Sequence, residues 1–260
     1  MTFKERIEKK TGLQGPGGYQ IIGNVLLLKL RKMPLSQKRK IARAILDIFP
    51  YVKTVCEIKS VGGELRKPNV VKLTGDGTET VHKEHNILYK LDVSKIMFSK
   101  GNLFERQRLI SQVKENEVVV DMFAGIGYFS LSVAKKAKEV YAIEKNKVAF
   151  RYLKENISLN KAGNIHPILG DNRRIAEKLA GKADRVIMGY FPGTEKFLPY
   201  ALMMLKKNGI IHYHNIYKES ELWKKPINEI KKIGAIILEK RKVKSYAPRV
   251  WHVVLDVKSA

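Results

Sequence analysis

From about residue 102 the chain alternates between two kinds of segment. "EVVVDMF", "EVYAIE", "NIHPIL", "DRVIMG" and "GIIHYHN" are short runs rich in Val and Ile, and segments of helical period such as "KVAFRYLKENISLNK" and "EKFLPYALMMLKKN" lie between them. Strands this apolar must be covered on both faces, and helices inserted between successive strands supply that cover, which implies a doubly wound parallel sheet. The ending breaks the alternation. "AIILEKRKV" and "VWHVVLDV" are separated only by "KSYAPR", too short for a crossover helix, so the last strand is expected to return antiparallel.

The first hundred residues follow another pattern. "QIIGNVLLLKL" (20–30) and "YVKTVCEI" (51–58) read as strands flanking the helix "LSQKRKIARAILDIF", in which Ile41, Ile45 and Ile48 fall at helical spacing. The stretch from "SVGGELRK" to "YKLDV" has short apolar runs and Gly-rich turns and reads as a β meander. We therefore expect a small N-terminal α/β domain over 1–92 and a catalytic domain over 93–260. Cys56 is the only cysteine, so no internal disulfide forms, and its apolar surroundings point to a buried small side chain. His82 and His85 bracket "KE" in what reads as a turn and suit structural or phosphate-facing roles. No apolar run reaches the roughly eighteen residues that span a bilayer, and "MTFKERIEKK" lacks the apolar stretch of a signal peptide. The expectation is a cytoplasmic protein with no membrane association.

Fifty Lys and Arg against twenty-five Asp and Glu give a net charge of +25. Such a field favours polyanionic partners, nucleic acid first; the plainer reading is a lysine-rich solvated surface. Residues 1–100 hold 20 basic and 9 acidic side chains and residues 101–260 hold 30 and 16, so the excess is no basic tail, and a polyanion would have to lie across folded surface.

The strand "VVVD" runs into "MFAGIGYFS", placing Asp121 at a strand end and Gly125 and Gly127 at a loop whose backbone a ligand can approach closely. Gly125-x-Gly127-x-x-Ser130 also fits the dinucleotide fingerprint loosely, so this motif alone does not decide between cofactors. Glu144 ends the next strand, placed to accept from both hydroxyls of a ribose. After the third strand, Gly170-Asp171-Asn172 sets an acid and an amide where an adenine amino group is read, although the same pair suits a turn and helix cap. That acid and the antiparallel ending favour S-adenosylmethionine over a nicotinamide cofactor. The fold expected is a class I methyltransferase (Rossmann-like) seven-stranded sheet with the smaller N-terminal α/β domain.

Upstream, Asn102 with Glu105 three residues on has the spacing of a capping box, and Arg106 and Arg108 follow. A guanidinium there suits the carboxylate of the cofactor's amino-acid end, with Ser99 adding a hydroxyl, but spacing alone favours a surface arginine. His212 and His214 alternate on a strand and share a face. Without a cysteine or another His or Glu at ligand spacing they make a poor metal site, and no metal is expected.

Taken together, "GGELRKPNVVKLTG", "VHKEHNILYKLDVSKIMFSKGNLFERQRL", "VVVDMFAGIGYFS", "YAIEKN" and "GDNRR" resemble the archaeal and eukaryal enzymes that modify the purine 3′ of the anticodon in tRNA. The resemblance covers roughly residues 60–260. The group has two branches, the tRNA guanosine-37 N1 methyltransferases and the tRNA wybutosine-synthesizing protein 2 family, whose members transfer the 3-amino-3-carboxypropyl group of S-adenosylmethionine to C7 of 4-demethylwyosine in tRNA(Phe). The resemblance implies that Ser99, Arg106, Glu144, Asp171 and Asn172 contact the cofactor, with Asp121 and Gly125 in its loop, and that the partner is the tRNA(Phe) anticodon loop, met by a monomer.

The branches part at "RVIMGYFPGTEKF". Where base methyltransferases carry Asn/Asp-Pro-Pro-Tyr or a related Asn- and Pro-bearing loop, this chain has Met188-Gly189-Tyr190-Phe191-Pro192, similar to the aminocarboxypropyl branch, and "IIHYHNIY" and "SYAPRVWHVVLDV" agree. That family's pattern has glycine where this chain has Arg249. Met188 and Gly189 are expected to leave room for a bulky acceptor; Tyr190 and Phe191 either stack on a flipped base or are core aromatics. Tyr190, Tyr213 and His214 are the candidates for the group nearest the reacting carbon. The alternatives are methyl transfer to guanosine-37, or a tRNA-binding module whose cofactor site no longer works.

Overall fold

A capping box starts the chain's first helix, α1 (Phe3–Thr11): the Thr2 hydroxyl accepts from the Glu5 N–H and the Glu5 carboxylate accepts from the Thr2 N–H. The computed structural model describes residues 1–98 and 103–259, and within it the chain divides into two units, Met1–Ser99 and Lys100–Ala260.

In the first unit the run 20–30, expected as one strand, is a hairpin of β1 (Tyr19–Ile22) and β2 (Val25–Leu28), with Ile22 opposite Val25. Gly23 makes the reversal at φ +55, a conformation other residues adopt at a cost. Helix α2 (Leu35–Ile48) then crosses to β3 (Thr54–Gly62), parallel to β2, and β4 (Lys67–Thr74) returns antiparallel, completing a sheet of order β1-β2-β3-β4. Ile41, Ile45 and Ile48 meet Ile7 of α1 and Leu26, Leu28 and Val55 of the sheet in one core. Cys56 is fully buried on β3, and burial pushes its thiol up to about 12, which suits a packing role.

The expected meander is split. β5 (Glu79–Glu84) and β6 (Ile87–Asp92) form a separate two-stranded sheet, turned by His85 and Asn86 at φ +49 and +59. His82 is on β5 rather than in a turn, and its Nδ1 accepts the Gly23 N–H at 3.1 Å, a structural role. Residues 93–98 belong to this first unit: Ile96 and Phe98 are buried, and the Phe98 ring meets Tyr89 edge-on.

The second unit begins with α3 (Leu103–Gln112) and builds a seven-stranded sheet. In chain order its elements are β7 (Val118–Asp121), α4 (Ser130–Val133), β8 (Glu139–Glu144), α5 (Lys147–Leu159), β9 (Ile165–Leu169), α6 (Asn172–Ile175), β10 (Ala183–Met188), α7 (Leu198–Met204), β11 (Leu205–Lys218), α8 (Lys224–Lys231), β12 (Ile236–Ala247) and β13 (Val250–Lys258). The spatial order is β12-β13-β11-β10-β7-β8-β9, with β13 antiparallel to both neighbours and the remaining pairs parallel. This is the class I methyltransferase arrangement, including the antiparallel finish. β12 takes up most of "KSYAPR", leaving Pro248 and Arg249 as the turn, with Arg249 at φ +55. A left-handed backbone explains why glycine suits that position; arginine there costs about 1 kcal/mol.

Gly75 follows β4 at φ +95, and a Cβ there would run into the Lys53 carbonyl and lie 2.7 Å from the Thr54 Cα. Gly75→Ala is expected to destabilise the first unit by more than about 1 kcal/mol, read as a lowered urea midpoint at unchanged m-value.

Candidate cofactor and acceptor site

The strand order reverses between β7 and β10, so the loops after them part at the carboxyl edge of the sheet and leave a crevice there. The loop after β7 is stitched across that edge. Met122 N–H donates to the Ile187 carbonyl at 3.0 Å and Ala124 N–H to the Ile143 carbonyl at 2.9 Å. Gly125 and Gly127 then turn at φ +59 and +100, and a Cβ on Gly127 would lie 2.9 Å from the Leu131 side chain. Two buried polar side chains brace this loop. Asp121 accepts from the Ser130 hydroxyl at 2.7 Å and the Phe123 N–H at 3.3 Å, and Asn156 of α5 donates to the Ile126 carbonyl at 3.0 Å. Asp121, expected at the cofactor, is therefore fully buried beneath the loop and shapes it.

Glu144 stands at the end of β8, half-buried. One carboxylate oxygen accepts the Gly125 N–H at 2.8 Å and the other the Asn146 N–H at 2.6 Å. Burial raises its pKa and these backbone donors oppose the rise. Each oxygen keeps a lone pair in hand, which suits the two hydroxyls of a ribose.

Asp171 caps α6 and is gripped by Arg173, through Nε at 2.9 Å and NH2 at 2.6 Å, with Lys145 at 3.3 Å. The Arg173 hydrogen bonds outweigh burial and hold its carboxyl well below the usual range. Asn172 is buried, donates to the Met122 carbonyl, and has an Oδ1 with no hydrogen-bond partner among the described residues. A buried, unspent acceptor suits an amino group supplied by a ligand.

Arg106 is only 3% exposed, which overturns the surface reading that spacing favoured. Its guanidinium lies over the Tyr128 ring at 5.3 Å, beside the glycine loop. Ser99 and Asn102 lie outside the described residues. Glu105 is fully buried and its Oε2 accepts from Arg108 Nε at 2.8 Å.

Arg108 belongs to a buried chain of charges. It pairs bidentately with Asp256 of β13, which also accepts from Gln112 at 3.1 Å and meets His212 Nδ1 at 2.6 Å. Arg185 NH1 contacts His212 Nε2 at 2.7 Å and forks onto Glu117 at 2.9 and 3.0 Å. A guanidinium only donates, so His212 Nε2 accepts and Nδ1 carries the proton given to Asp256. Burial lowers the His212 pKa against the pull of Asp256, keeping the ring neutral. For Asp256 burial acts upward, but His212 and Arg108 outweigh it and hold the carboxyl far below the usual range.

On the acceptor side, Met188 is fully buried in the core, and a Cβ on Gly189 would sit 2.7 Å from the Phe129 ring. The room expected there is already filled by Phe129. Phe191 is buried against His252 at 4.4 Å and is a core aromatic, whereas Tyr190 is half-buried and stacks on Phe123 at 5.0 Å, with Phe197 edge-on to Phe123. Tyr213 is fully buried in a cluster with Tyr217, Glu229 and Asn215; burial first, then its neighbours, raises its pKa. His214 is also fully buried, with Nδ1 3.1 Å from His252 Nε2 and its ring 5.3 Å from Phe129. Tyr213 and His214 are thus withdrawn from the surface an acceptor can reach. Among the described residues no group of three or more His, Cys, Asp or Glu is placed to hold a metal ion, and no helix is long and apolar enough to cross a membrane.

Sequence reading missed Asn156, Phe129 and Asp256. Asn156 had a signal, being a polar residue on the apolar stripe of α5 with Ala149, Tyr152 and Leu153. The other two had none, since an aromatic after a glycine loop and an acid near the chain's end are ordinary until their partners are known.

Burial pushes the Asp121 carboxyl up to about 6, opposed by Ser130 and the Phe123 N–H and aided by the Glu144 charge. With an unfolded value near 4, the folded form holds this proton more tightly, so stability is full below about pH 4 and falls as pH rises through about 6, by about 3 kcal/mol. Asp121→Asn has no such proton. The unfolding free energy of the variant minus that of the parent is expected to grow by that amount between about pH 4 and pH 6.5 and then level off; a flat difference contradicts the assignment.

Comparison with known proteins agrees with this geometry. Residues 80–243 match the TRM5/TYW2 methyltransferase domain and residues 2–78 the TYW2 N-terminal domain. The tRNA(Phe) (4-demethylwyosine(37)-C(7)) aminocarboxypropyltransferase of Methanocaldococcus jannaschii is 47% identical, covering 92% of this chain and 97% of its own. The tRNA (guanine(37)-N(1))-methyltransferase Trm5b of Pyrococcus abyssi is 36% identical over 93% of this chain and 74% of its own. The crystal structure of P. horikoshii TYW2 in complex with MeSAdo superimposes with a TM-score of 0.85 at 41% identity, covering 98% of both chains. A cofactor loop braced by buried acids, with a TYW2-type domain before it, identifies the chain as a member of the TRM5/TYW2 family.

Proposed function

We propose that this chain is an S-adenosylmethionine-dependent aminocarboxypropyltransferase acting on tRNA. It moves the 3-amino-3-carboxypropyl group to C7 of 4-demethylwyosine at position 37 of tRNA(Phe) and releases methylthioadenosine. The observation that carries this reading is the near full-length similarity to an aminocarboxypropyltransferase, which includes the TYW2-type first domain as well as the shared catalytic one. The enzyme works as a monomer in the cytoplasm and meets the anticodon loop.

Arg106, buried beside Tyr128, pairs with the carboxylate of the amino-acid end, and Ser99 adds a hydroxyl. Glu144 accepts from the ribose hydroxyls with the lone pairs its backbone donors leave. Asn172 Oδ1 and Asp171 face the adenine amino group, and Asp121 and Gly125 hold the loop beneath the nucleoside. Bound S-adenosylmethionine supplies an electrophilic γ-carbon and a sulfide leaving group, so the proposal contains no metal.

A sulfonium offers its methyl group more readily than a hindered γ-carbon. Fixing both ends of the molecule is therefore what selects the carbon presented to the acceptor, and positioning is the main catalytic contribution of these residues. Tyr190 is the one of the three acceptor-side candidates that is not fully buried, and its stack on Phe123 extends to a flipped tricyclic base.

The test uses tRNA carrying 4-demethylwyosine and S-adenosylmethionine labelled in either the methyl or the carboxyl carbon. Carboxyl label is expected in the tRNA; methyl label instead assigns the Trm5-type reaction, and binding without transfer of either label leaves only a tRNA-binding module. Because the net charge is +25, tRNA affinity is expected to fall steeply with salt, by roughly a thousandfold between 50 and 200 mM for about six phosphate contacts. A flat salt response removes the electrostatic part of the proposal.

A further inference from the structure

Arg106 and Arg108 are two residues apart on α3, about 200° around the helix, so fixing the direction of one fixes the direction of the other. Arg106 faces Tyr128 at the glycine loop, and Arg108 faces Asp256 on β13. Asp256 grips α3 at two successive turns, through both guanidinium nitrogens of Arg108 and through Gln112 Nε2 at 3.1 Å. Glu105, one turn before Arg108, holds the same guanidinium from the other side at 2.8 Å. Asp256 is in turn oriented by His212, and His212 by Arg185, whose NH2 reaches the Gln112 carbonyl at the end of α3 at 3.1 Å. Glu105, Arg108, Arg185, His212 and Asp256 are each nine-tenths buried or more.

We propose that Asp256 and Arg108 are positioning residues for S-adenosylmethionine: through α3 they set the rotation and height of Arg106, and so the place of the cofactor's amino-acid end. The inference deepens the proposed function and rests on its reading of Arg106. Hydrophobic residues of similar volume would hold a helix to a sheet at least as well as buried charges, so the network adds direction more than attraction. A planar, bidentate Arg–Asp fork fixes distance and plane together, which a packed leucine does not. Direction matters at this site because the γ-carbon is presented to the acceptor only when the carboxylate is held in one place. A shift of about 1 Å in a positioning group is enough to lose a large factor in rate.

Methylthioadenosine shares the nucleoside and sulfur of S-adenosylmethionine and lacks the aminocarboxypropyl chain, so it reports on every contact except the one in question. The experiment measures calorimetric affinities for both compounds with Arg108→Lys, with Asp256→Asn, with the triple variant Glu105→Gln/Arg108→Met/Asp256→Leu, and with Arg106→Met as the reference. The triple variant guards against misfolding, because it removes Arg108 together with both buried carboxylates that pair with it. For each variant that retains the parent's cooperative unfolding, S-adenosylmethionine affinity is expected to fall roughly tenfold or more while methylthioadenosine affinity stays within about twofold. Carboxyl-label transfer should show the same loss as a raised KM. Equal losses for both compounds make the network purely structural and overturn the inference, as does no loss for either. If Arg106→Met itself fails to separate the two compounds, the reading of Arg106 falls and the inference with it; if Arg106→Met separates them and the Arg108 and Asp256 variants do not, the inference alone falls.

Discussion

The site hangs on the Glu144 carboxylate. At the end of β8 it ties the Gly125 N–H of one loop to the Asn146 N–H of the next. Backbone amides at a tight glycine turn have no helix or strand partner of their own, and left buried and unpaired each would cost about 1–3 kcal/mol. A single carboxylate satisfies two of them and remains half-buried, so the group that builds the crevice wall also presents its charge to it. Asp121 does the complementary work from below, through Ser130 and the Phe123 N–H, and is fully buried. The Glu144 charge adds to the burial that raises the Asp121 pKa, and the glycine loop is the element the two acids jointly hold. The sheet topology decides where this happens, because only between β7 and β10 do the loops diverge.

The second unit takes a large number of ionic groups out of water. Glu105, Arg108, Asp256, His212 and Arg185 are all nearly or fully buried. Removing one member of such a chain strands its partner and costs about 3–5 kcal/mol, whereas replacing both by apolar groups is often neutral. Stability alone therefore does not account for the arrangement. What the charges fix is geometry: the tautomer of His212, the plane of the Arg108 fork, and the rotation of the helix that carries Arg106.

Much of the fold was legible because burial imposes patterns on sequence. Val and Ile runs with helices between them specify a parallel sheet, and the helix-free ending at 244–249 gave the antiparallel last strand. The hairpin at Gly23 was not legible: "QIIGNVLLLKL" is apolar on both sides of its turn, and only φ at Gly23 shows that the chain reverses. At the site, the placement of Glu144, Gly125 and Asn172 just after strand ends was legible because strand and glycine patterns locate those ends, and their part in holding a cofactor belongs to the proposed function. Arg106 was misjudged as a surface residue because exposure depends on what packs against the helix, and Asp256 is 148 positions from Arg108. Partners that distant leave no local pattern in a single sequence.

The segment at 188–192 changes meaning once its neighbours are known. From sequence, methionine and glycine looked like vacated space for a larger acceptor. In the structure the space at Gly189 belongs to Phe129, whose ring also packs on His214, and Met188 is part of the core. A side chain at 189, polar or not, has to displace that ring. The glycine is therefore a condition for a buried cluster of rings, Phe129, His214, His252 and Phe191, beside which Tyr190 stacks on Phe123. Of these rings only Tyr190 and Phe123 are partly exposed, and a stacked pair of that kind has few hydrogen-bond acceptors for the edge of a guanine and an apolar face for a flat, extended base. On the proposed reading, the rings beside the crevice meet the acceptor, while Asp121 and Glu144 hold the glycine loop beneath the cofactor. On the same proposed reading, which carbon of the sulfonium meets the acceptor is decided at the other end of the cofactor, by the guanidinium of Arg106, buried over the Tyr128 ring.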